Sequence, residues 1–215
     1  MVDQGFCTGS IYNAFTLLTA SHCVPQLRSG IAKVEVERVN SKIPIQRHLY
    51  QMENIYANSA YLEMAANPET EVNGYDVAVA IVAQKINLAH LNVQIPNFMM
   101  GKLPDFGTTV FIVGYGRERE NNDNKGQLRW GRQKYVKCAC EWPGEPLCTE
   151  RQDEFKNQDT DVGDSGGPLV HKLSPNDQLV LGTLSGGEEF INGQFVAMYA
   201  SLDRNEKFVQ KYIRN

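Results

Sequence analysis

Residues 159–169 read Asp-Thr-Asp-Val-Gly-Asp-Ser-Gly-Gly-Pro-Leu, and Ser165 stands near the centre of this stretch. Gly163, Gly166 and Gly167 surround it. Glycine permits backbone conformations in which main-chain N–H groups converge beside a hydroxyl. Such donors stabilise the charge on a carbonyl oxygen that becomes tetrahedral, and each can contribute ~3–4 kcal/mol. The stretch therefore predicts a nucleophilic serine beside an oxyanion hole, formed by the N–H groups of Gly163 and Ser165.

A serine nucleophile needs a base, and His22 is the candidate. Serine is a weak nucleophile unless an imidazole takes its proton. His22 lies in Thr-Ala-Ser-His-Cys at residues 19–23, after the apolar segment 11–18. Three histidines lie in no comparable context: His48, His90 and His171. The base in turn needs a carboxylate to orient it, and Asp76 fits because it directly precedes the apolar run 77–82.

Together these elements resemble the trypsin/chymotrypsin-like serine endopeptidases, whose catalytic residues follow in the order His, Asp, Ser. Gly-Asp-Ser-Gly-Gly-Pro is the most specific motif, and the resemblance runs from Phe6 to the C-terminus. It implies an enzyme that hydrolyses polypeptides through an acyl-enzyme, with His22 as base, Asp76 as its orienting group and Ser165 as nucleophile. It implies no cofactor and no metal.

Short strand-like segments recur along the chain and predict an all-β fold. They are residues 11–19, 31–39, 77–82, 108–113, 128–136, 179–184 and 194–199. Many short strands between Gly, Pro and Asn turns favour barrels or sandwiches. The resemblance selects two packed antiparallel β-barrels of the trypsin/chymotrypsin type, the first of them N-terminally truncated.

The predicted domain boundaries follow from this architecture. Residues 1–103 form the barrel that carries His22 and Asp76, and residues 104–202 form the barrel that carries Ser165. Residues 203–215 form a C-terminal helix that docks on the second barrel, with Asp203 as N-cap and Glu206 at the third helical position.

One segment departs from the strand pattern. Residues 50–66 have a patchy helical character, which predicts an insertion over residues 50–71 near the cleft. A longer surface loop anchored by buried Tyr and Met side chains explains the pattern equally well.

Composition limits the partners. The chain has 215 residues, 42% of them hydrophobic, and no apolar run long enough to span a membrane. A net charge of −4 argues against nucleic acid as the main partner. The expected partners are a polypeptide substrate and a proteinaceous inhibitor, and a monomer is the expected state.

Five cysteines are present, so at least one stays unpaired in a monomer. The resemblance implies a bridge between Cys7 and Cys23. Cys148 has two candidate partners, Cys138 and Cys140, and the spacing does not choose between them. The Cys7–Cys23 pair and the resemblance indicate a secreted or periplasmic protein, whereas the lack of a visible signal peptide at Met1 leaves the cytosol open.

The resemblance also assigns substrate contacts. Asp159 stands at the floor of the primary specificity pocket, next to Thr160, and a buried carboxylate there favours Arg or Lys in the substrate. Ser185 and Gly187 belong to the segment that pairs with the substrate backbone. Ala197 replaces a glycine of the pocket wall. The alternative is that Asp159 is a solvated loop acid.

Asp164 poses the question of activation. In active members of the resembled family, a freed Ile-Val-Gly-Gly-type N-terminus pairs with the acid before the nucleophile, and no such segment is visible here. We expect Asp164 to turn to N–H donors or solvent and the chain to be zymogen-like, with mobile loops around Asp164. Three explanations stay open: a truncated or engineered chain, an activating peptide in a removed segment, or another way of ordering the oxyanion hole.

A catalytically silent, protease-fold binding or regulatory module is the alternative function. Loss of catalysis usually shows as loss of a triad residue, and His22, Asp76 and Ser165 are all present. The sequence therefore favours the enzyme.

Overall fold

The computed structural model describes residues 6–27, 33–38, 46–65, 74–91, 94–98, 103–117, 127–139, 144–152, 159–174, 177–189 and 195–214. The fold consists mainly of short antiparallel strands, in agreement with the predicted all-β class. No helix among these residues has the length and apolar character needed to cross a membrane.

The first half of the chain forms a five-stranded antiparallel sheet in the order β1-β2-β5-β4-β3. Its strands are β1 (Ser10–Ile11), β2 (Thr16–Thr19), β3 (Lys33–Arg38), β4 (Gln46–Ala57) and β5 (Ala78–Val82). Three short helices accompany it: α1 (Val24–Leu27), α2 (Ser59–Ala65) and α3 (Leu88–Leu91).

The second half forms a closed six-stranded antiparallel barrel, in which each strand pairs with the next and the last returns to the first: β7-β8-β9-β12-β11-β10. The strands are β7 (Thr109–Gly114), β8 (Arg129–Val136), β9 (Leu147–Arg151), β10 (Pro168–Ser174), β11 (Asp177–Glu189) and β12 (Phe195–Ser201). A two-residue strand, β6 (Asn97–Phe98), pairs in parallel with β11, and the helix α4 (Glu206–Tyr212) follows β12.

Alternating side chains fill the barrel. Along β8, Gly131, Gln133 and Tyr135 are buried, and the residues between them are exposed or half-buried, as a strand with one face inward requires. A second apolar cluster joins the two halves: Leu18 and Val79 of the first pack with Val180 of the second. This packing holds the two halves together.

The helical character predicted for residues 50–66 needs correction in its first part, and residues 66–71 of the predicted insertion lie outside the described residues. Residues up to Ala57 continue β4, a full strand of the first sheet, and only the segment from Ser59 is helical. The register of β4 against β5 shifts between Met52 and Asn54. This irregularity breaks the alternation of period two, so the apolar residues on either side read as a helical pattern.

The predicted C-terminal helix is present, but its predicted N-cap and docking partner need correction. The helix packs on the first sheet, where Tyr212 stacks on Tyr56 of β4, rather than on the second barrel alone. The helix begins at Glu206 with Asn205 at the N-cap position, whereas Asp203 lies in the preceding turn. Asn205 provides no side-chain cap bond because its amide is used elsewhere.

The disulfides agree with the sequence. Cys7 and Cys23 are bonded, as the resemblance implied. Cys148 pairs with Cys138, which resolves the alternative that the spacing left open. Cys140 lies outside the described residues.

The Asn205 side chain connects three parts of the molecule. Its Nδ2 donates to the carbonyl oxygens of Gly74 and Ser201, both at 2.7 Å, and its Oδ1 accepts from Asn58 Nδ2 at 2.7 Å. Asn58 and Asn205 are both buried. Buried polar groups left without partners are costly, so this residue stabilises the contact between the halves.

We predict that Asn205→Ala lowers the free energy of unfolding by about 2–4 kcal/mol, because the Asn58 amide and the Gly74 carbonyl lose their buried partner. Urea denaturation measures the change. Lys207→Ala, on the exposed side of α4, is the control and should stay within about 0.5 kcal/mol of the parent. A loss under about 1 kcal/mol for Asn205→Ala would show that the cluster contributes little.

Candidate active site

The Asp76 carboxylate lies two residues before β5 and is only 1% exposed. His22 donates to it twice, through its backbone N–H to Oδ1 at 2.9 Å and through Nδ1 to Oδ2 at 2.7 Å. Ser185 Oγ donates to Oδ2 at 2.7 Å. The carboxylate thereby fixes both the position of the His22 ring and the tautomer that leaves Nε2 free to accept a proton.

The segment that carries His22 is itself anchored by buried hydrogen bonds. His22 lies in a 3₁₀ turn, Ser21–Cys23. Ser21 Oγ donates to the Val77 carbonyl at 2.7 Å and accepts from the Asn58 N–H at 3.0 Å. Because Val77 directly follows Asp76, this contact sets the two site residues at a fixed separation.

Tyr61, on α2, lies close enough to be affected by the Asp76 charge. Burial, followed by the negative charge of Asp76, raises the pKa of the Tyr61 hydroxyl to about 12. The helical part of the predicted insertion thus reaches the neighbourhood of the site, with its tyrosine kept in the protonated form.

The turn around Ser165 requires glycine at two positions, as the sequence predicted. Gly163 and Gly166 have φ of +100° and +79°, a region that other residues rarely adopt. A Cβ on Gly166 would lie 2.2 Å from Thr19 Oγ1 and 2.7 Å from the Ala20 nitrogen. The turn of Ser165 therefore packs against the backbone that leads to His22.

Thr8 holds this turn from the first half of the chain. Its N–H donates to the Ser165 carbonyl at 2.8 Å, and its hydroxyl donates to the Gly163 carbonyl at 2.8 Å. The same hydroxyl accepts from the Tyr115 N–H at 3.1 Å. Thr8 is a buried positioning residue that the sequence analysis missed, since nothing in its local context indicates a contact 155 residues away.

Asp164 accepts hydrogen bonds from N–H groups inside the protein. This is one of the two outcomes that the sequence analysis expected, the other being contact with solvent. Its carboxylate accepts from the Gly116 N–H at 2.8 Å and from the Asp161 N–H at 2.9 Å. A Cβ on Gly114 would lie 1.9 Å from Asp164 Oδ1, so the strand end closes tightly over the carboxylate. Burial raises the pKa of Asp164 despite these two bonds and the positive Arg129, and the nearby Asp161 charge adds to the rise.

Asp159 is paired within the protein. Arg151 Nη1 donates to Asp159 Oδ2 at 2.8 Å, and the Asp159 side chain is only 7% exposed. The structure therefore does not place Asp159 as a solvated loop acid. Arg151 is a second residue that the sequence analysis did not single out.

The remaining predicted contact residues lie on β11 and β12 or beside Asp159. Gly187 and Ala197 are direct partners in the β11–β12 register, and a Cβ on Gly187 would lie 2.4 Å from the Phe195 ring. Thr160 is half-buried beside Asp159. Ser185 was predicted to offer its backbone to a substrate, and its hydroxyl has the additional role of binding Asp76.

One group of metal-ligating side chains occurs in the part of the chain that the structure describes: Cys7, His22 and Cys23. Both sulfurs belong to a disulfide and cannot act as thiolate ligands. The Cys7–Cys23 disulfide therefore lies beside His22, and these three residues do not form a metal site.

The chain is similar to known proteins over most of its length. A family model described as Trypsin matches residues 2–209. The chain is 31% identical to the cercarial protease of Schistosoma mansoni over 98% of its own length and 82% of that protein. It is 26% identical to alkaline trypsin A of Manduca sexta, covering 95% of the chain and 78% of that protein. It is also 25% identical to rat complement factor I, of which it spans 35%.

We predict a pH signature for Asp164. Because burial raises its pKa, the folded state holds the proton more tightly than the unfolded state. The stabilisation is complete below the unfolded pKa of about 4 and is lost as pH rises through the folded value. The free energy of unfolding of the parent, minus that of Asp164→Asn, should therefore fall as pH rises above about 4.

Urea unfolding at a series of pH values measures this difference. Asp203→Asn, which removes an exposed carboxylate before α4, controls for the loss of one negative charge. A difference that stays flat or grows with pH would contradict the burial of an Asp164 carboxylate with a raised pKa.

Proposed function

Since this chain belongs to the trypsin family of serine proteases, we propose that it is an endopeptidase that cleaves peptide bonds at Ser165. The observation that carries the proposal is the buried Asp76 carboxylate bonded to His22 Nδ1 at 2.7 Å. It orients the imidazole as a general base requires. The turn of Ser165 packs against the same segment of the first half.

In the proposed reaction, His22 Nε2 takes the proton of Ser165 Oγ as that oxygen attacks the substrate carbonyl carbon. The N–H groups of Gly163 and Ser165 receive the negative oxygen of the tetrahedral intermediate. His22 then gives the proton to the leaving amine, and an acyl-enzyme forms. Water, activated by His22 in the same way, releases the acid and restores Ser165.

Substrate choice depends on the state of Asp159. A preference for Arg or Lys would rest on a carboxylate available to a substrate cation. Arg151 already contacts that carboxylate at 2.8 Å. For the parent chain, this pair removes the physical reason for the Arg or Lys preference that Asp159 alone suggested.

The two disulfides support a place in an oxidising compartment, since such bonds persist mainly in secreted, extracellular or periplasmic proteins. We therefore propose that the protein is secreted. A polypeptide is the proposed substrate.

The first test is Ser165→Ala. Hydrolysis of a peptide library, followed by mass spectrometry, should fall by at least about 10⁴-fold because the nucleophile is lost. A fluorophosphonate probe should label the parent but not the variant. Ser174→Ala, at the exposed end of β10, is the matched control and should be labelled like the parent. Peptide hydrolysis that persists in Ser165→Ala would assign the chemistry to other residues.

Zymogen-like behaviour is the second element of the proposal. In the part of the chain that the structure describes, Asp164 is held by the Gly116 and Asp161 N–H groups and by no ammonium group. If an ammonium at Asp164 is needed to aim the Gly163 N–H, the chain lacks one oxyanion donor, and one such donor contributes about 10²–10³ in kcat.

We therefore predict that limited proteolysis by an immobilised protease raises the rate of Ser165 labelling by about a hundredfold. Ser165→Ala treated in the same way is the control, because any labelling in that sample comes from the added protease. An unchanged, rapid rate would mean that the internal donors of Asp164 suffice for an ordered oxyanion hole. A folded protein that is labelled neither before nor after treatment would favour the silent binding module.

A further inference from the structure

Arg151 extends from the interior face of the second barrel. In the strand register, Thr149 of β9 lies opposite Ala197 of β12, and Arg151 lies opposite Gln133 of β8. Residues two apart on a strand share a face. Gln133, Thr149 and Ala197 are fully buried, so Arg151 continues the inward face of β9 at the end of that strand.

At this position Arg151 contacts Asp159 in a largely buried ion pair. Nη1 and Oδ2 are 2.8 Å apart, and the side chains are 26% and 7% exposed. Asp159 Oδ1 is also buried, and it has no hydrogen-bond partner within the described residues. One carboxylate oxygen is thus taken by an internal cation, and the other is an unused acceptor.

From this geometry we infer that Arg151 is a specificity-determining residue, which selects against Arg and Lys in the primary substrate residue, the one whose carbonyl Ser165 would attack. The inference rests on the proposed function and deepens it. It concerns which side chain the proposed pocket accepts, not whether Ser165 reacts.

The physical argument is one of charge balance. A buried carboxylate without a counterion demands a cation, because an isolated buried charge is expensive. Arg151 supplies that cation from within the fold. A substrate guanidinium or ammonium would have to break the existing pair or lie beside a second positive charge, and both options reduce its gain.

An uncharged side chain meets neither obstacle. It requires no counterion, and it leaves the Arg151–Asp159 pair intact. The pocket therefore favours an uncharged residue.

The test compares two peptides that differ only at the primary residue, arginine in one and citrulline in the other. Citrulline keeps the length of arginine and part of its N–H donors, and it lacks the charge. The parent, assayed before and after limited proteolysis, should hydrolyse the citrulline peptide at least as efficiently as the arginine peptide, as measured by kcat/KM.

Arg151→Met should then raise the ratio of kcat/KM for arginine over citrulline by at least about tenfold, because Asp159 becomes available and a hydrogen bond to a charged group has this magnitude. Arg214→Met is the matched control. It removes the guanidinium of an exposed ion pair with Glu53 and should leave the ratio unchanged. A parent that prefers arginine by tenfold or more, or an unchanged ratio in folded Arg151→Met, would overturn the inference.

A binding assay keeps the test independent of catalysis. Benzamidine, a small aromatic amidinium, should bind Arg151→Met at least about tenfold more tightly than the parent in calorimetry. Equal binding would count against the inference. If the fluorophosphonate probe fails on Ser165 while benzamidine still distinguishes the two proteins, the proposed function fails and the role of Arg151 stands. If Arg151→Met does not fold, the preference of the parent alone decides.

Discussion

The buried carboxylate of Asp76 is the constraint on which the rest of the site depends. At 1% exposure it cannot rely on water, so its oxygens must find donors inside the protein. His22 supplies two of these donors from the first half, and Ser185 supplies a third from β11 of the second half. The two halves are thereby held around one charge, and the cost of leaving that charge unpaired keeps the imidazole in place.

Two other acids, Asp164 and Asp159, also have partners inside the protein, but these partners are of different kinds. Asp164 is satisfied by backbone N–H groups, and Asp159 by the side chain of Arg151. Both acids thus have partners within the described residues. Under the proposed function, these internal partners limit what can bind from outside.

Motifs with a local chemical cause could be predicted from the sequence. The glycines around Ser165, the Asp76 position before a buried strand and the all-β class agree with the structure. The Cys7–Cys23 bridge also agrees, but it was implied by the family resemblance and not by a local pattern. The contacts of Thr8 and of the Ser185 hydroxyl could not be predicted, because their partners lie 155 and 109 residues away along the chain. The Arg151–Asp159 pair spans only eight residues, but nothing in the local sequence pattern indicates that the two side chains meet. The sequence pattern of residues 50–57 did not indicate a strand because the register of β4 shifts there. Periodicity identifies a strand only where the pairing stays regular.

The packing of the Ser165 turn against the first half has a consequence for biosynthesis. Thr8 and the backbone at Thr19 and Ala20 brace a turn that is translated about 150 residues later. A partly synthesised chain lacks Ser165, and a chain whose halves have not docked lacks the brace, so in neither does an oriented imidazole face a positioned Ser165 hydroxyl. Under the proposed function, reactivity appears only when both halves have docked. The topology itself would then protect a nascent protease, and its neighbours on the ribosome, from premature digestion.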